Sequence, residues 1–217
     1  KIRFGKGKEK WIKTDKGGAF RKWYGNQEFV MNWENDGFAI KNHRNADGSL
    51  KSRPQNTQFF FREAISWNKI GSGTTAFRFR DDTFGFNDAA PSIFGDNLET
   101  TLSMLSSKLF EYLVNIQGGT LNVTTGIIKG LPNLRLPDTC NIAKRAILIS
   151  KNDWDSYETS WDFTQNPIIR TGQTNLEQAF YTWQQQNSAA VAEMKHLEEE
   201  NNKLFIDAYG LQDELTP

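Results

Sequence analysis

The sequence predicts an α+β fold: a twisted, mainly antiparallel sheet with helices, followed by a long C-terminal helical extension. Three observations carry this reading. Apolar and polar residues alternate in short runs at 29–33 and again at 75–81, the period of a half-buried strand. Leucines recur every three or four residues from Leu98 to Ile116, the period of a helix face. A single apolar seam then runs through a Gln- and Glu-rich stretch from about Asn175 to Tyr209. The division expected is a domain over residues 1–140 and a helical extension with an acidic connector over 141–217.

Each element follows from its residues. In GGAFRKWYGNQEFVMNW (17–33), Gly25-Asn26 separates two alternating runs, and both residues tolerate positive φ. A hairpin is predicted there, with Arg21 and Trp23 projecting together from one face. KNHRNADGSLKSRPQNTQ (41–58) is long and polar, a pattern that is uncommon unless functional or disordered. FFFREAISW (59–67) reads as a strand, the stretch at 69–75 as a Gly-rich turn, and TAFRFRD (75–81) as a second strand. In that strand Phe77 and Phe79 share one face, and Arg78 and Arg80 the other. One helix is expected over 97–117, stopped by Gly118-Gly119. Short strands and turns are expected over 121–137, a short helix over 142–150, and an acidic Trp-bearing connector over 152–163. The final helix is capped by Thr174 or Asn175.

Composition bounds the function. The 217 residues include 16 Phe and are 37% hydrophobic, enough to build a core. No apolar run approaches a membrane span, so no membrane role is expected. Cys140 is the only cysteine, which excludes an internal disulfide and points to a cytoplasmic, reducing compartment. The chain opens without Met, so it reads as a piece of a longer protein. Its zero net charge hides an asymmetry: residues 1–80 hold 17 Lys and Arg against 7 Asp and Glu, while 151–217 hold 4 against 12. A basic half that meets a polyanion is the expectation.

Catalytic chemistry is poorly supplied. Neither an acidic-x-Phe-x-Gly-x-Gly cofactor loop nor an Asn/Asp-Pro-Pro-aromatic box occurs; QNPIIR (165–170) has one proline and no aromatic. The glycines at 71–73 lack the following Lys-Ser/Thr helix of a phosphate cradle. Two histidines and one cysteine without paired spacing do not make a zinc site. Asp153-x-Asp155 opens like a calcium loop but fails at Glu158 and Thr164. His43 and His196 read as solvated, and Cys140 as a packing residue. Asp138 and Glu193 lie too far apart in sequence to favour a nuclease. No catalytic or metal-binding residue is assigned.

The run KEKWIKTDKGGAFRKWYGNQEFVMNWENDG (8–37) resembles the opening of the specificity region of bacterial adenine-specific DNA methyltransferases. SWNKIGSGTTAFRFR (66–80), GFNDAAPSIFG (85–95), GTLNVTTGIIKGLP (119–132) and SKNDWDSYETSWDF (150–163) continue the pattern. The stretch LEEENNKLFIDAYGLQDELTP (197–217) resembles the C-terminal part of such enzymes in phage-exclusion (BREX) defence. The resemblance implies a Taq-like target recognition domain, with S-adenosylmethionine held on a catalytic domain elsewhere in the polypeptide and no cofactor in this chain. Implied partners are double-stranded DNA, that catalytic domain and other defence-system subunits. Phosphates call for Lys and Arg, and base edges for Arg, Asn or Gln. The residues expected on DNA are Lys16, Arg21, Lys22, Asn26, Arg44, Lys51, Arg53, Gln55, Gln58, Lys69, Arg78 and Arg80. Trp23, Tyr24, Trp33 and Trp67 read as framework. Half of a type I restriction specificity subunit, a subunit-docking module and a nuclease remain as alternatives.

Overall fold

The computed structural model describes residues 9–71, 74–117, 123–132 and 134–217. The Ser72-Gly73 part of the expected turn, the Gly118-Gly119 helix stop and the start of the 121–137 segment lie outside those residues. The fold is α+β, with two three-stranded sheets and a set of helices.

In the first sheet β1 (Trp11–Asp15) is central. It pairs antiparallel with β2 (Phe29–Asn32), Ile12 opposite Met31, and parallel with β5 (Phe84–Phe86), Thr14 opposite Gly85. In the second sheet β3 (Ala64–Trp67) is central, antiparallel to both β4 (Phe77–Arg80) and β6 (Ser92–Ile93). The strand predicted over 59–67 is therefore confined to its last four residues. Phe59 and Phe60 lie instead in and beside a 3-10 turn over Thr57–Phe59.

The hairpin expected at Gly25-Asn26 does not form. β2 pairs with β1, and residues 20–24 are not a strand. The reason is Trp23, which sits at φ 69 with its N–H donating to the Phe77 carbonyl at 2.8 Å. Its carbonyl accepts from the Phe79 N–H, also at 2.8 Å, so Trp23 is spliced onto the edge of β4. Its indole is buried and donates to Glu198 at 2.8 Å. Tyr24, Trp33 and Trp67 are buried as well, matching the framework reading.

The helix α1 (Glu34–Lys41) begins with a left-handed turn through Asn35, Asp36 and Gly37. Gly37 is needed there: its φ is +72, and a Cβ would lie 2.7 Å from the ring of buried Trp33. With Ile12 and Phe60, Trp33 forms the core beneath the first sheet.

The larger core lies between the second sheet and the helices. Trp23, Ile65, Trp67 and Phe77 meet Leu98, Leu102, Leu105, Phe110, Ala143 and Ala146. The helix expected over 97–117 is two, α2 (Leu98–Leu105) and α3 (Lys108–Ile116). Ser107 divides them: its hydroxyl donates to the Met104 carbonyl at 2.7 Å and accepts from the Phe110 N–H, capping α3. The 121–137 segment contains a short helix, α4 (Thr125–Gly130), and no strand among the described residues. The helix expected over 142–150 extends as α5 (Thr139–Trp154), taking in Asn152–Trp154 from the expected connector and the 140/141 boundary. A single-turn helix, α6 (Pro167–Arg170), precedes the last element.

That element, α7 (Leu176–Tyr209), runs over the predicted range. Asn175 caps it, its side-chain oxygen accepting from the N–H groups of Glu177 and Gln178. Gly210, at φ 66, ends it, and the Leu211 N–H closes on the Ile206 carbonyl. Its first turns pack against α6 and bury Ala179, and its second half docks on the other helices. Phe205 is buried with Met104 and Leu109, and the Asn201 amide donates to the Ser103 carbonyl. The Asn202 side-chain oxygen accepts from the Lys108 N–H. Leu176, Phe180, Tyr181 and Val191 stay exposed. Among the described residues no helix is long and apolar enough to cross a membrane.

Candidate nucleic-acid interface

The residues expected on DNA separate into three groups. Five are drawn inward or onto acidic partners. Arg78 and Arg80 are each 1% exposed, so β4 does not present a cationic surface. Both faces of the second sheet are covered: Phe77 packs on Phe110, while Arg80 reaches the first sheet. There Arg80 lies 3.6 Å from Asp15, donates to the Ser92 hydroxyl at 2.9 Å and stacks 4.9 Å from the Phe86 ring. Arg78 donates to the Asn68 side-chain oxygen at 2.9 Å. Asp15 is the carboxylate within ion-pair distance of Arg80. Burial pushes both guanidinium pKa values down, and Asp15 opposes that shift.

Asn26 is buried, its amide donating to the Ala19 carbonyl at 2.7 Å, so it serves the turn. Arg21 pairs with Asp153 at 3.0 Å and lies over the Trp154 ring. Lys22 pairs with Glu198 at 2.8 Å. The acidic C-terminal part therefore neutralises two of the cations assigned to the expected hairpin.

The second group is exposed outside the hollows described next: Arg44, Lys51 and Gln58. Arg44 donates to the Gly48 carbonyl at 2.8 Å, and the Lys51 N–H donates to the His43 carbonyl, so the 41–58 loop has internal order.

The third group is brought together. A hollow of about 940 Å³ opens between the 52–60 segment and the 86–94 segment, with Thr124 and Thr125 also in its lining. Asn56, at φ 58, turns the chain into the 3-10 turn, and the Phe61 N–H donates to the Phe84 carbonyl to fix it beside β5. Phe60 and Trp33 form the floor, rings 5.0 Å apart. Phe59 and Phe94 stack at 4.9 Å as a wall. Arg53, Gln55 and Lys69 line the same hollow.

A second hollow, about 400 Å³, is lined by Lys16, Gly17 and Gly18 and shares Lys69, Asn87 and Asp88 with the first. Lys69 stands on the ridge between them, paired to Asp88 at 2.7 Å. Gly17 adopts φ +81 where a Cβ would meet the Asn68 side-chain oxygen at 2.9 Å. Asn68 also holds Gly18 through two hydrogen bonds, its amide donating to the Gly18 carbonyl at 2.6 Å. Lys16, Arg53, Gln55 and Lys69 thus line adjoining surfaces despite their sequence separation. Phe59, Phe86, Phe94, Asn56, Asn68, Asn87 and Asp88 were not among the expected residues. The three consecutive phenylalanines beside the polar loop are the one signal of the aromatic wall in the sequence.

No protein-family profile matches the chain. It is 36% identical over 218 residues, 95% of its length, to the adenine-specific methyltransferase PglX of Lacticaseibacillus casei (strain Zhang). It is 29% identical over 217 residues, 98% of its length, to the adenine-specific methyltransferase BrxX of Escherichia coli O9:H4 (strain HS). The match takes up 18% and 17% of those two proteins, so the chain spans less than a fifth of the curated relatives it matches.

Proposed function

We propose that this chain is a sequence-specific double-stranded DNA recognition module of an N6-adenine DNA methyltransferase acting in phage defence. The observation that supports it is the convergence of Lys16, Arg53, Gln55 and Lys69 on two adjoining hollows. Cations there suit phosphates, and the Arg and amide side chains suit base edges. Lys69 must leave Asp88 to meet a phosphate, which ties that contact to the bound state. The sequence carries neither methyltransferase box, so S-adenosylmethionine and methyl transfer are assigned to the parent protein outside these 217 residues.

Salt titration of duplex binding tests the reading. Lys16, Arg44, Lys51, Arg53 and Lys69 are exposed. If each meets one phosphate, log affinity falls against log salt with a slope of about −4.5. Arg53→Ala or Gln55→Ala in the full-length protein relaxes site preference by about 1–3 kcal/mol. A flat salt response together with unchanged methylation sites in both variants refutes it. A second reading, a subunit-docking module, is favoured by the exposed Leu176, Phe180 and Val191 on α7. Phe180→Asp abolishing capture of a companion subunit while DNA binding persists is its test.

A further inference from the structure

We propose that the larger hollow receives a single unstacked deoxynucleotide of a DNA strand, its base against Phe59, Phe86 and Phe94 and its phosphate at Arg53 and Lys69. The inference rests on the DNA reading above and adds a ligand conformation to it. Groove readout of a duplex uses side chains that reach outward to base edges. This site is concave, and its walls are rings. Phe59 stacks on Phe94, and Phe86 lies 5.6 Å from Phe94; all three are partly exposed at the hollow, not sealed in the core. Paired bases inside a duplex have both faces covered by their neighbours. Only a base taken out of the stack offers a face to such a wall.

The surroundings fit a nucleotide. Gln55, Asn56 and Asn87 line the hollow, and each amide carries both a donor and an acceptor, as base edges do. Arg53 supplies positive charge to the same space, and Lys69 adds to it once it leaves Asp88, which lines the hollow too. Behind the rings sits Arg80, its guanidinium 4.9 Å from the Phe86 ring and 5.7 Å from the Phe94 ring. Its hydrogen bond to Ser92, itself a lining residue, fixes the cation against the wall. The rings are therefore held before any ligand arrives, which lowers the ordering cost of stacking. A volume of about 940 Å³ accommodates a nucleotide.

The test uses the full-length protein and a single strand of about twelve nucleotides carrying one 5-iodouracil. Ultraviolet cross-linking followed by peptide mapping is expected to place the adduct within residues 52–60 or 86–94. Phe59→Ala is expected to weaken single-strand binding about five- to hundredfold, the range for loss of one base–aromatic stack, while Phe59→Trp retains it. Steep, salt-dependent duplex binding with adducts only outside those segments overturns this inference and leaves the DNA reading intact. Failure to bind either form of DNA overturns both. Should Phe59→Ala not fold, as read by circular dichroism, the adduct map of the unaltered protein decides alone.

Discussion

Replacing Arg80 by alanine separates a structural arginine from a DNA-contacting one. The side chain is 1% exposed, and the Asp15 side chain facing it 6%. Its removal leaves the Asp15 carboxylate in the interior with the Gly17 N–H as a remaining donor. It also takes the guanidinium from the Phe86 and Phe94 rings and the donor from the Ser92 hydroxyl. Breaking a buried pair from one side costs about 3–5 kcal/mol. For a chain of this size each kcal/mol lowers Tm by about 2–4 °C, so a fall of about 6–20 °C is expected in calorimetry. Lys69→Ala, an exposed residue paired only at the surface, is the comparator and stays within about 0.5 kcal/mol. Below its melting temperature the Arg80→Ala protein keeps the salt slope of duplex binding, since the slope counts phosphate contacts. An unchanged Tm with a slope reduced by about one refutes the assignment and returns Arg80 to the DNA surface.

Three further outcomes follow from the geometry. Gly37→Ala puts a methyl group against the Trp33 ring at a left-handed backbone position, and costs about 2–4 kcal/mol in urea unfolding. Glu198→Ala leaves the buried Trp23 indole without its acceptor, costing about 1–3 kcal/mol; Glu198→Gln retains an acceptor and costs less. Burial, against the pull of Lys151, holds the Tyr24 phenol up at about 12. The unfolded chain releases that proton near pH 10, so this contribution is full below pH 10 and is lost as pH rises from 10 to 12. The loss is about 2–3 kcal/mol in alkaline denaturant melts, and Tyr24→Phe flattens it.

The sequence was most legible where one local rule decided the outcome. The ends of α7 follow from Asn175 and Gly210, whose conformations are dictated by the chain's need for a cap and a left-handed stop. Alternation at 77–80 correctly separated two Phe from two Arg, but alternation does not say which face meets water. The first sheet covers the arginine face, a long-range fact absent from any short window. The Leu periodicity from 98 to 116 runs through the break at Ser107, yet Leu98, Leu102 and Leu105 enter the larger core while Leu109 and Leu113 pack with Met104 and Phe205. Gly25-Asn26 has the chemistry of a tight hairpin. The competing bond partner of Trp23 lies more than fifty residues away on β4 and wins. In the candidate interface the polar residues could be read by type, whereas the aromatic wall required Phe59, Phe86 and Phe94 to converge from separate segments.

The Glu198 carboxylate holds both the Trp23 indole and the Lys22 ammonium, across a separation of 175 residues from Trp23. During translation at roughly 5–20 residues per second, that span takes about nine to thirty-five seconds to emerge. Throughout that interval the nascent strap around Trp23 lacks its final anchor, whatever the early strands have already achieved. A ribosome stall before the codon for Glu198 strands the indole without its anchor.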